Sequence, residues 1–169
     1  GDVLIAGTHV GSIDNDGDFV LDGTLDVAAA GDQVTNAGNF TQNTSGKVNM
    51  AVNNTAAGEY YLNDGTLTGD VTNNGYLEQA GGTVTGVVNS DGTYVMNAGT
   101  IIGNVTNADD FVQRSGATIQ GNVVSTAPSG DAYTLRGGKI TGDVENNGVM
   151  EAYGTIGGTL TNEDTATLT

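Results

Sequence analysis

The amino-acid sequence predicts an all-β chain folded as a single-stranded parallel β-solenoid of roughly eight to nine coils, each of about 16–21 residues. Three observations support this fold class. A short phrase recurs as GTLTGDV, GTVTGVV, GTIIGNV and GKITGDV. Apolar residues are spaced by two and not in helical stripes, and 28 of the 169 residues are Gly while only 1 is Pro. We expect residues 1–169 to form one domain.

The Gly of TGDV marks a period along the chain. Equivalent positions are Gly11, Gly31, Met50, Gly69, Gly86, Gly103, Gly121, Gly142 and Gly158. A period near 20 residues is typical of stacked arrays, in which each unit buries its apolar face against its neighbours. Because Gly has no side chain, we expect it to make room for a bulkier group across the core or to let the strand bend at a corner.

Apolar residues flank this Gly two positions away on either side, which predicts a strand with one buried face. The residues before it include Leu67, Val84, Ile101, Ile119, Ile140 and Ile156, and those after it are Ile13, Val52, Val71, Val88, Val105, Val123, Val144 and Leu160. A second short strand follows with Phe19, Phe40, Tyr60, Leu77, Tyr94, Phe111, Tyr133 and Met150 at its first inward position. Residues 26–33 are the one stretch whose composition permits a helical turn.

Asn recurs between these two strands. The column comprises Asn15, Asn36, Asn54, Asn73, Asn107, Asn146 and Asn162, with Ser90 and Ser125 at equivalent positions. Stacked Asn amides can hydrogen-bond from one coil to the next and can hold a tight turn. We therefore predict a structural Asn column that closes the same corner in every coil.

The charge of the chain limits its partners. Twenty acidic and four basic residues give a formal charge of −16, which disfavours nucleic acid and anionic lipid. There is no Cys, and no apolar run approaches the roughly 20 residues of a membrane-spanning helix, so we predict no membrane insertion. His9 is the only His, and it occupies the position that Leu67 occupies in a later repeat. We therefore expect no catalytic residues, no cofactor and no enzyme activity.

Two acidic stretches are candidate Ca²⁺ sites. Asp14, Asp16 and Asp18 lie within five residues in DNDGD, and alternate Asp residues around a Gly can surround a hard cation with oxygen ligands. The alternative is that Asn15 and Gly17 simply form the first corner. The pair Asp109 and Asp110 is a second, weaker candidate.

Two further functions can be weighed on the sequence. Arg114, Arg136 and Lys139 could share a face with Asp131 and Tyr133, as a polysaccharide-acting enzyme would require, but a few cations that relieve the repulsion of an acidic surface explain them better. An outward Thr column resembles the rows that order water on ice-binding proteins, but Ile102, Gln120 and Gly157 interrupt it, so β-propensity explains it better. Its members are Thr24, Thr66, Thr83, Thr100, Thr118 and Thr155.

The phrases GTLTGDVTNNG and GKITGDVENNG resemble the degenerate repeats of bacterial autotransporter passengers and related secreted β-helical adhesins. The resemblance spans about residues 7–168. It implies an extracellular location at the bacterial cell surface and a structural or adhesive role as a fibre or stalk. A module that binds glycans or a cell surface is the alternative, and a polysaccharide-acting enzyme is the third. Neither end of the chain has a capping pattern, which predicts end-to-end self-association or membership of a longer array.

Overall fold

The computed structural model describes residues 2–169, and every regular element in that range is a β-strand. In chain order the strands are β1 (Val3–Ile5), β2 (Thr8–Val10), β3 (Ile13–Asn15), β4 (Asp18–Leu21), β5 (Thr24–Asp26), β6 (Gln33–Asn36), β7 (Asn39–Gln42), β8 (Lys47–Val48), β9 (Ala51–Asn54), β10 (Glu59–Leu62), β11 (Thr66–Thr68), β12 (Val71–Asn73), β13 (Tyr76–Gln79), β14 (Thr83–Thr85), β15 (Val88–Ser90), β16 (Thr93–Ile102), β17 (Val105–Asn107), β18 (Phe111–Gln120), β19 (Val123–Ser125), β20 (Tyr133–Arg136), β21 (Lys139–Ile140), β22 (Val144–Asn146), β23 (Val149–Ala152), β24 (Thr155–Ile156), β25 (Leu160–Asn162) and β26 (Thr167–Leu168).

The strands stack in three parallel columns, and each coil contributes one strand to each column. Column I contains β2, β5, β8, β11, β14, β21 and β24 together with the second halves of β16 and β18. Column II is the 9-stranded sheet of β3, β6, β9, β12, β15, β17, β19, β22 and β25. Column III contains β1, β4, β7, β10, β13, β20, β23 and β26 with the first halves of β16 and β18. The predicted all-β parallel solenoid is confirmed, with about nine coils.

The predicted inward positions form continuous ladders in the core. His9 and Leu25 open the column I ladder, which continues through Leu67 and Val84 to Ile156. Column II aligns the Val positions and, two residues later, the Asn positions. His9 therefore occupies the predicted column, where it is partly buried in the first coil. The ladders form because a parallel register places equivalent residues of successive coils directly above one another.

Aromatic rings stack along column III. The rings of Phe19, Phe40 and Tyr60 lie 4.6 and 4.7 Å apart, centroid to centroid, and are nearly parallel. A second stack contains Tyr94, Phe111 and Tyr133, with separations of 4.7 and 4.9 Å. Leu77 lies between the two stacks in the same ladder. Successive coils are separated by the spacing of neighbouring β-strands. Rings at equivalent positions therefore stack face to face at that same spacing.

The anchor glycines lie at the corner between columns I and II. A Cβ atom on Gly86 would contact the carbonyl oxygen of Gly69, and one on Gly103 would contact that of Gly86. β11 ends one residue before Gly69 and β12 begins two residues after it. Two roles were predicted for these glycines, to make room for a bulky group across the core or to form a corner. The structure supports the corner, because the backbones of successive coils approach too closely there for a side chain.

Residues 26–33 do not form the helical turn that their composition permits. The segment is a tight turn closed by the Asp32 carboxylate, which accepts hydrogen bonds from the amides of Ala28 and Ala29 at 2.7 and 2.8 Å. These bonds, with one from the Ser12 hydroxyl, lower the pKa of Asp32. The φ of Gly31, 94°, lies outside the right-handed helical region, which explains why the turn does not continue as a helix.

Candidate functional site

The Asn column forms a buried hydrogen-bonded ladder, as predicted. Asn15 Nδ2 donates to Asn36 Oδ1 at 2.7 Å, and Asn36 and Asn54 each donate to the next Asn at 2.8 Å. The same amides donate to a backbone carbonyl of their own corner, as Asn54 Nδ2 does to Gly58 O at 3.2 Å, and to one of the next coil, as Asn54 Nδ2 does to Tyr76 O at 2.9 Å. Each amide therefore links two coils and closes its own corner.

Ser interrupts this ladder at two places. Asn73 Nδ2 still reaches Ser90 Oγ at 3.2 Å, but Ser90 donates to Gly92 O at 2.7 Å instead of passing a hydrogen bond to the next coil. Asn107 Oδ1 and Ser125 Oγ are buried and have no protein partner. The shorter Ser side chain thus breaks the amide chain without opening the core to solvent.

A second polar ladder was missed by the sequence analysis. The hydroxyls of Tyr60, Tyr94 and Tyr133 donate to the side-chain carbonyls of Gln residues in the preceding coil at 2.7, 2.9 and 2.6 Å. The acceptors are Gln42, Gln79 and Gln113, whose amides in turn donate to backbone carbonyls. Burial raises the pKa of all three tyrosines.

A sequence signal for this ladder exists. From Phe40 to Leu135 the column III strands alternate between FTQ, LEQ and FVQ in one coil and YYL, YVM and YTL in the next. The alternation follows from the geometry, because the Tyr hydroxyl reaches the Gln two positions further along the neighbouring strand. A buried hydroxyl needs an acceptor, and Gln supplies it.

The candidate Ca²⁺ ligands lie in two separate regions of the solenoid. Asp14, Asp16 and Asp18 are all exposed, on β3, at the following corner and on β4, and Ca²⁺ binding there remains a prediction. In the described part of the chain, Asp109, Asp110 and Asp131 each place a carboxylate oxygen within 4.8 Å of the others. The insertion of residues 126–132 brings Asp131 to this pair. Burial and the neighbouring charges of Asp109 and Asp110 raise the pKa of Asp131.

The basic residues do not form one site with Tyr133. Arg114 and Arg136 are neighbours in register on column III, and Arg136 Nη2 lies 3.9 Å from Glu151 Oε2 in an exposed ion pair. Lys139 lies in column I beside Thr118. Tyr133 points into the core and is fully buried, so the expectation that it shares their face is wrong. Its hydrophobic ring and its Gln113 partner explain the inward orientation.

The structure confirms that the predicted Thr residues align from coil to coil on the outer face of column I. Thr24 is followed by Thr66, Thr83, Thr100, Thr118 and Thr155, with Lys47 and Lys139 between them. These two lysines interrupt the row in addition to the irregular second Thr positions. The arrangement fits β-propensity on an exposed sheet surface.

The outer face of column III contains two tyrosines that the sequence analysis did not single out. Tyr61 and Tyr76 have ring centroids 5.9 Å apart and an interplanar angle of 53°. The Tyr61 hydroxyl donates to Glu59 Oε2 and the Tyr76 hydroxyl to Glu78 Oε2, both at 2.9 Å. The signal was the pair of segments EYYL and YLEQ, in which Tyr and Glu exchange outward positions.

A shallow groove of about 400 Å³ lies outside column II near the C-terminal coils. Its lining includes Asn122, Asp143, Glu145 and Thr161. Asp143 Oδ1 accepts the Thr159 amide at 2.8 Å. The groove is polar, and its side chains offer mainly hydrogen-bond acceptors.

No protein-family model, curated protein or solved structure matches this chain. The described residues contain no helix long and apolar enough to cross a membrane. The resemblance to autotransporter passengers therefore rests on the sequence phrases alone.

Proposed function

We propose that this chain is an extracellular structural and adhesive β-solenoid, a rod-like part of a bacterial surface fibre or stalk. The observation that supports the proposal is the continuity of the ladders. The backbone pairs from coil to coil in three columns, and buried aromatic and aliphatic residues repeat from Phe19 to Met150, beside an Asn ladder with Ser at two positions. At about 4.8 Å per coil, nine coils give a rod about 43 Å long.

Both ends of the rod offer surfaces to further strands. Val3, Leu4 and Val10 in the first coils are 44%, 64% and 56% exposed, and Leu168 in the last is 40% exposed. Strands at a solenoid end also have backbone groups that can pair with an added strand. We propose that other solenoid coils cover these ends, supplied by another copy of the chain stacked end to end.

The strand count sets a condition on such stacking. Within residues 2–169, column III has ten strands and columns I and II have nine each, because the first strand, β1, and the last, β26, both belong to column III. If β26 of one copy paired with β1 of the next, one strand position would be unfilled in column I and one in column II. If β1 is displaced, β24, β25 and β26 can pair with β2, β3 and β4 of the next copy. A joint of this kind aligns Asn162 with Asn15 and extends the Asn ladder.

The same joint brings acidic residues together. Glu163 and Asp164 follow Asn162, while Asp16 and Asp18 follow Asn15, so carboxylates would face one another across the joint. Like charges repel, and salt screens exposed charges beyond about 10 Å at 0.1 M. We therefore expect stacking to increase with ionic strength, and with Ca²⁺ if the Asp14–Asp18 segment binds it.

Electron microscopy of the purified chain tests the proposal. Filaments of uniform width, longer at high salt or with Ca²⁺, are the expected result. A variant without residues 1–6 has nine strands in every column and should form longer filaments. Isolated short rods for both proteins under all conditions would contradict end-to-end stacking. A folded protein that neither stacks nor attaches to cells or surfaces would contradict the structural and adhesive role as a whole.

A glycan- or cell-binding adhesin module is the second candidate, and the polar groove beside Asp143 and Glu145 favours it. Oligosaccharide hydroxyls could donate to the acceptors that line this groove. A glycan array with the wild-type chain and Glu145→Gln tests this function. We expect a bound glycan whose signal falls in the variant, and equal signals for both proteins would exclude the groove as its site.

A further inference from the structure

The outer faces of β10 and β13 carry a compact patch of two tyrosines and two carboxylates. Parallel register places Glu59 beside Tyr76 and Tyr61 beside Glu78. The two rings therefore lie on one diagonal of the patch, and the two carboxylates lie on the other. Both rings are partly buried, so each is held in place while part of it stays accessible. We call these four residues the Tyr61–Tyr76 patch.

Hydrogen bonds fix the orientation of both carboxylates. Glu78 accepts the Tyr76 hydroxyl at 2.9 Å through Oε2 and the Asn97 amide at 2.7 Å through Oε1. Glu59 accepts the Tyr61 hydroxyl at 2.9 Å. The patch is thus preorganised, since its side chains are held by one another before any ligand arrives.

The electrostatics of the patch favour a positive ligand. Each phenol donates to an anionic acceptor, which increases the electron density of its ring. The faces of aromatic rings attract cations within about 6 Å of the ring centroid. With the two centroids 5.9 Å apart, one small cation can lie within that range of both rings. Two carboxylates add the charge of the patch itself, on a chain of formal charge −16.

The titration of Tyr76 is consistent with this picture. Burial first, and then the hydrogen bond and charge of Glu78, raise the pKa of Tyr76 to about 12. The positive charge of Arg114 acts in the opposite direction and lowers it.

Covering the outer face of the sheet does not by itself explain the four residues of the Tyr61–Tyr76 patch. At the same outward positions, the nearby strands β7, β16 and β18 have small, polar or aliphatic residues, which suffices to cover the sheet. They include Asn39, Thr41, Thr93, Val95 and Val112. Glu151 occupies the outward position of Glu78 further along the ladder, but among the described strands of column III only β10 and β13 place Tyr and Glu side by side in register.

We propose that the Tyr61–Tyr76 patch binds an organic cation, an alkylammonium group held over the two rings and between the two carboxylates. This ligand class goes beyond the structural role proposed above and does not depend on stacking of the rod. The group can belong to a free small molecule or to a Lys side chain of a peptide. A neutral sugar on the same rings is the competing outcome.

Titration of the wild-type chain with tetramethylammonium, followed by NMR of the tyrosine rings at constant ionic strength, tests the proposal. We expect saturable shifts of Tyr61 and Tyr76 and no saturable shift with tert-butanol, a neutral molecule of similar size. Tyr61→Leu and Tyr76→Leu should each weaken binding about two- to five-fold. Glu59→Gln should weaken binding as well. A trilysine peptide titrated in parallel identifies the source, because tighter binding of the peptide at the same tyrosines indicates a side-chain ligand.

Tyr153→Leu is the matched control, because Tyr153 is 66% exposed and lies directly after β23, several coils from the patch. Circular dichroism and urea unfolding confirm that each variant is folded. Binding that does not saturate, equal binding of tert-butanol, or equal weakening by Tyr153→Leu would overturn the proposal. Preferential binding of a neutral oligosaccharide at Tyr61 and Tyr76 would overturn it in favour of a glycan site.

Discussion

The Asn ladder allows a quantitative prediction at Asn54. Its Nδ2 lies 2.8 Å from Asn73 Oδ1, 2.9 Å from Tyr76 O and 3.2 Å from Gly58 O, and its Oδ1 accepts Asn36 Nδ2 at 2.8 Å. An amide has two N–H hydrogens, so the three donations amount to two full hydrogen bonds. Asn54→Ala therefore removes about three hydrogen bonds, and at about 1 kcal/mol each we expect a loss of about 3 kcal/mol.

Urea unfolding followed by circular dichroism measures this loss. Asn53→Ala is the matched control, because Asn53 lies on the same strand and points outward. We expect that control to change the free energy of unfolding by less than about 0.5 kcal/mol. Amide hydrogen exchange should show faster opening of the coils next to Asn54. Equal free-energy changes for the two variants would refute the assignment of a structural role to the ladder.

The interruption at Ser90 predicts the opposite change. Ser90→Asn places a donor beside Asn107 Oδ1, which is buried and has no protein partner. The added hydrogen bond should raise the free energy of unfolding by about 1 kcal/mol in the same urea assay. A loss of stability instead would mean that the core at this coil has no room for the longer side chain.

Three further predictions concern packing, the buried hydroxyls and pH. Gly92→Ala should destabilise the protein by about 1–3 kcal/mol in the urea assay, because the new Cβ would contact backbone carbonyls of the preceding coil. Gly7→Ala, whose Cβ would have no atom within 4 Å, should be nearly neutral in the same assay. Tyr94→Phe leaves Gln79 Oε1 without its donor and should cost about 1–2 kcal/mol, and a double-mutant cycle with Gln79→Leu should show that the two losses are not additive. A raised tyrosine pKa favours the neutral hydroxyl in the folded state, so stability should be complete below about pH 10 and fall as the pH approaches about 12, with a shallower fall for Tyr76→Phe in urea titrations at each pH.

Much of the fold follows from the sequence because a parallel solenoid uses local periodicity. A spacing of two between Leu67, Gly69 and Val71 predicts the strands, and the recurrence of that spacing predicts which residues share a ladder. The Asn column could be assigned for the same reason, since Asn54 and Asn73 occupy the same place in successive repeats. No long-range information is required when each unit contacts only its neighbours.

Contacts that depend on neighbouring coils were harder to predict. The Tyr94 hydroxyl and Gln79 belong to different repeats, and their pairing depends on the axial spacing and on the direction of the side chains. The approach of Asp131 to Asp109 depends on the path of the insertion, for which the repeat gives no rule.

The sequence by itself determined the solenoid class, the length of the coil and the inward ladders, because hydrophobic alternation and Gly spacing act within one repeat. Only the tertiary structure decided which surface groups meet. The parallel register of β10 and β13 brings Tyr61 and Tyr76 to 5.9 Å, although they lie in successive coils. The physical reason is that the stacking of coils, and not the spacing along the chain, sets the distance between residues of neighbouring strands.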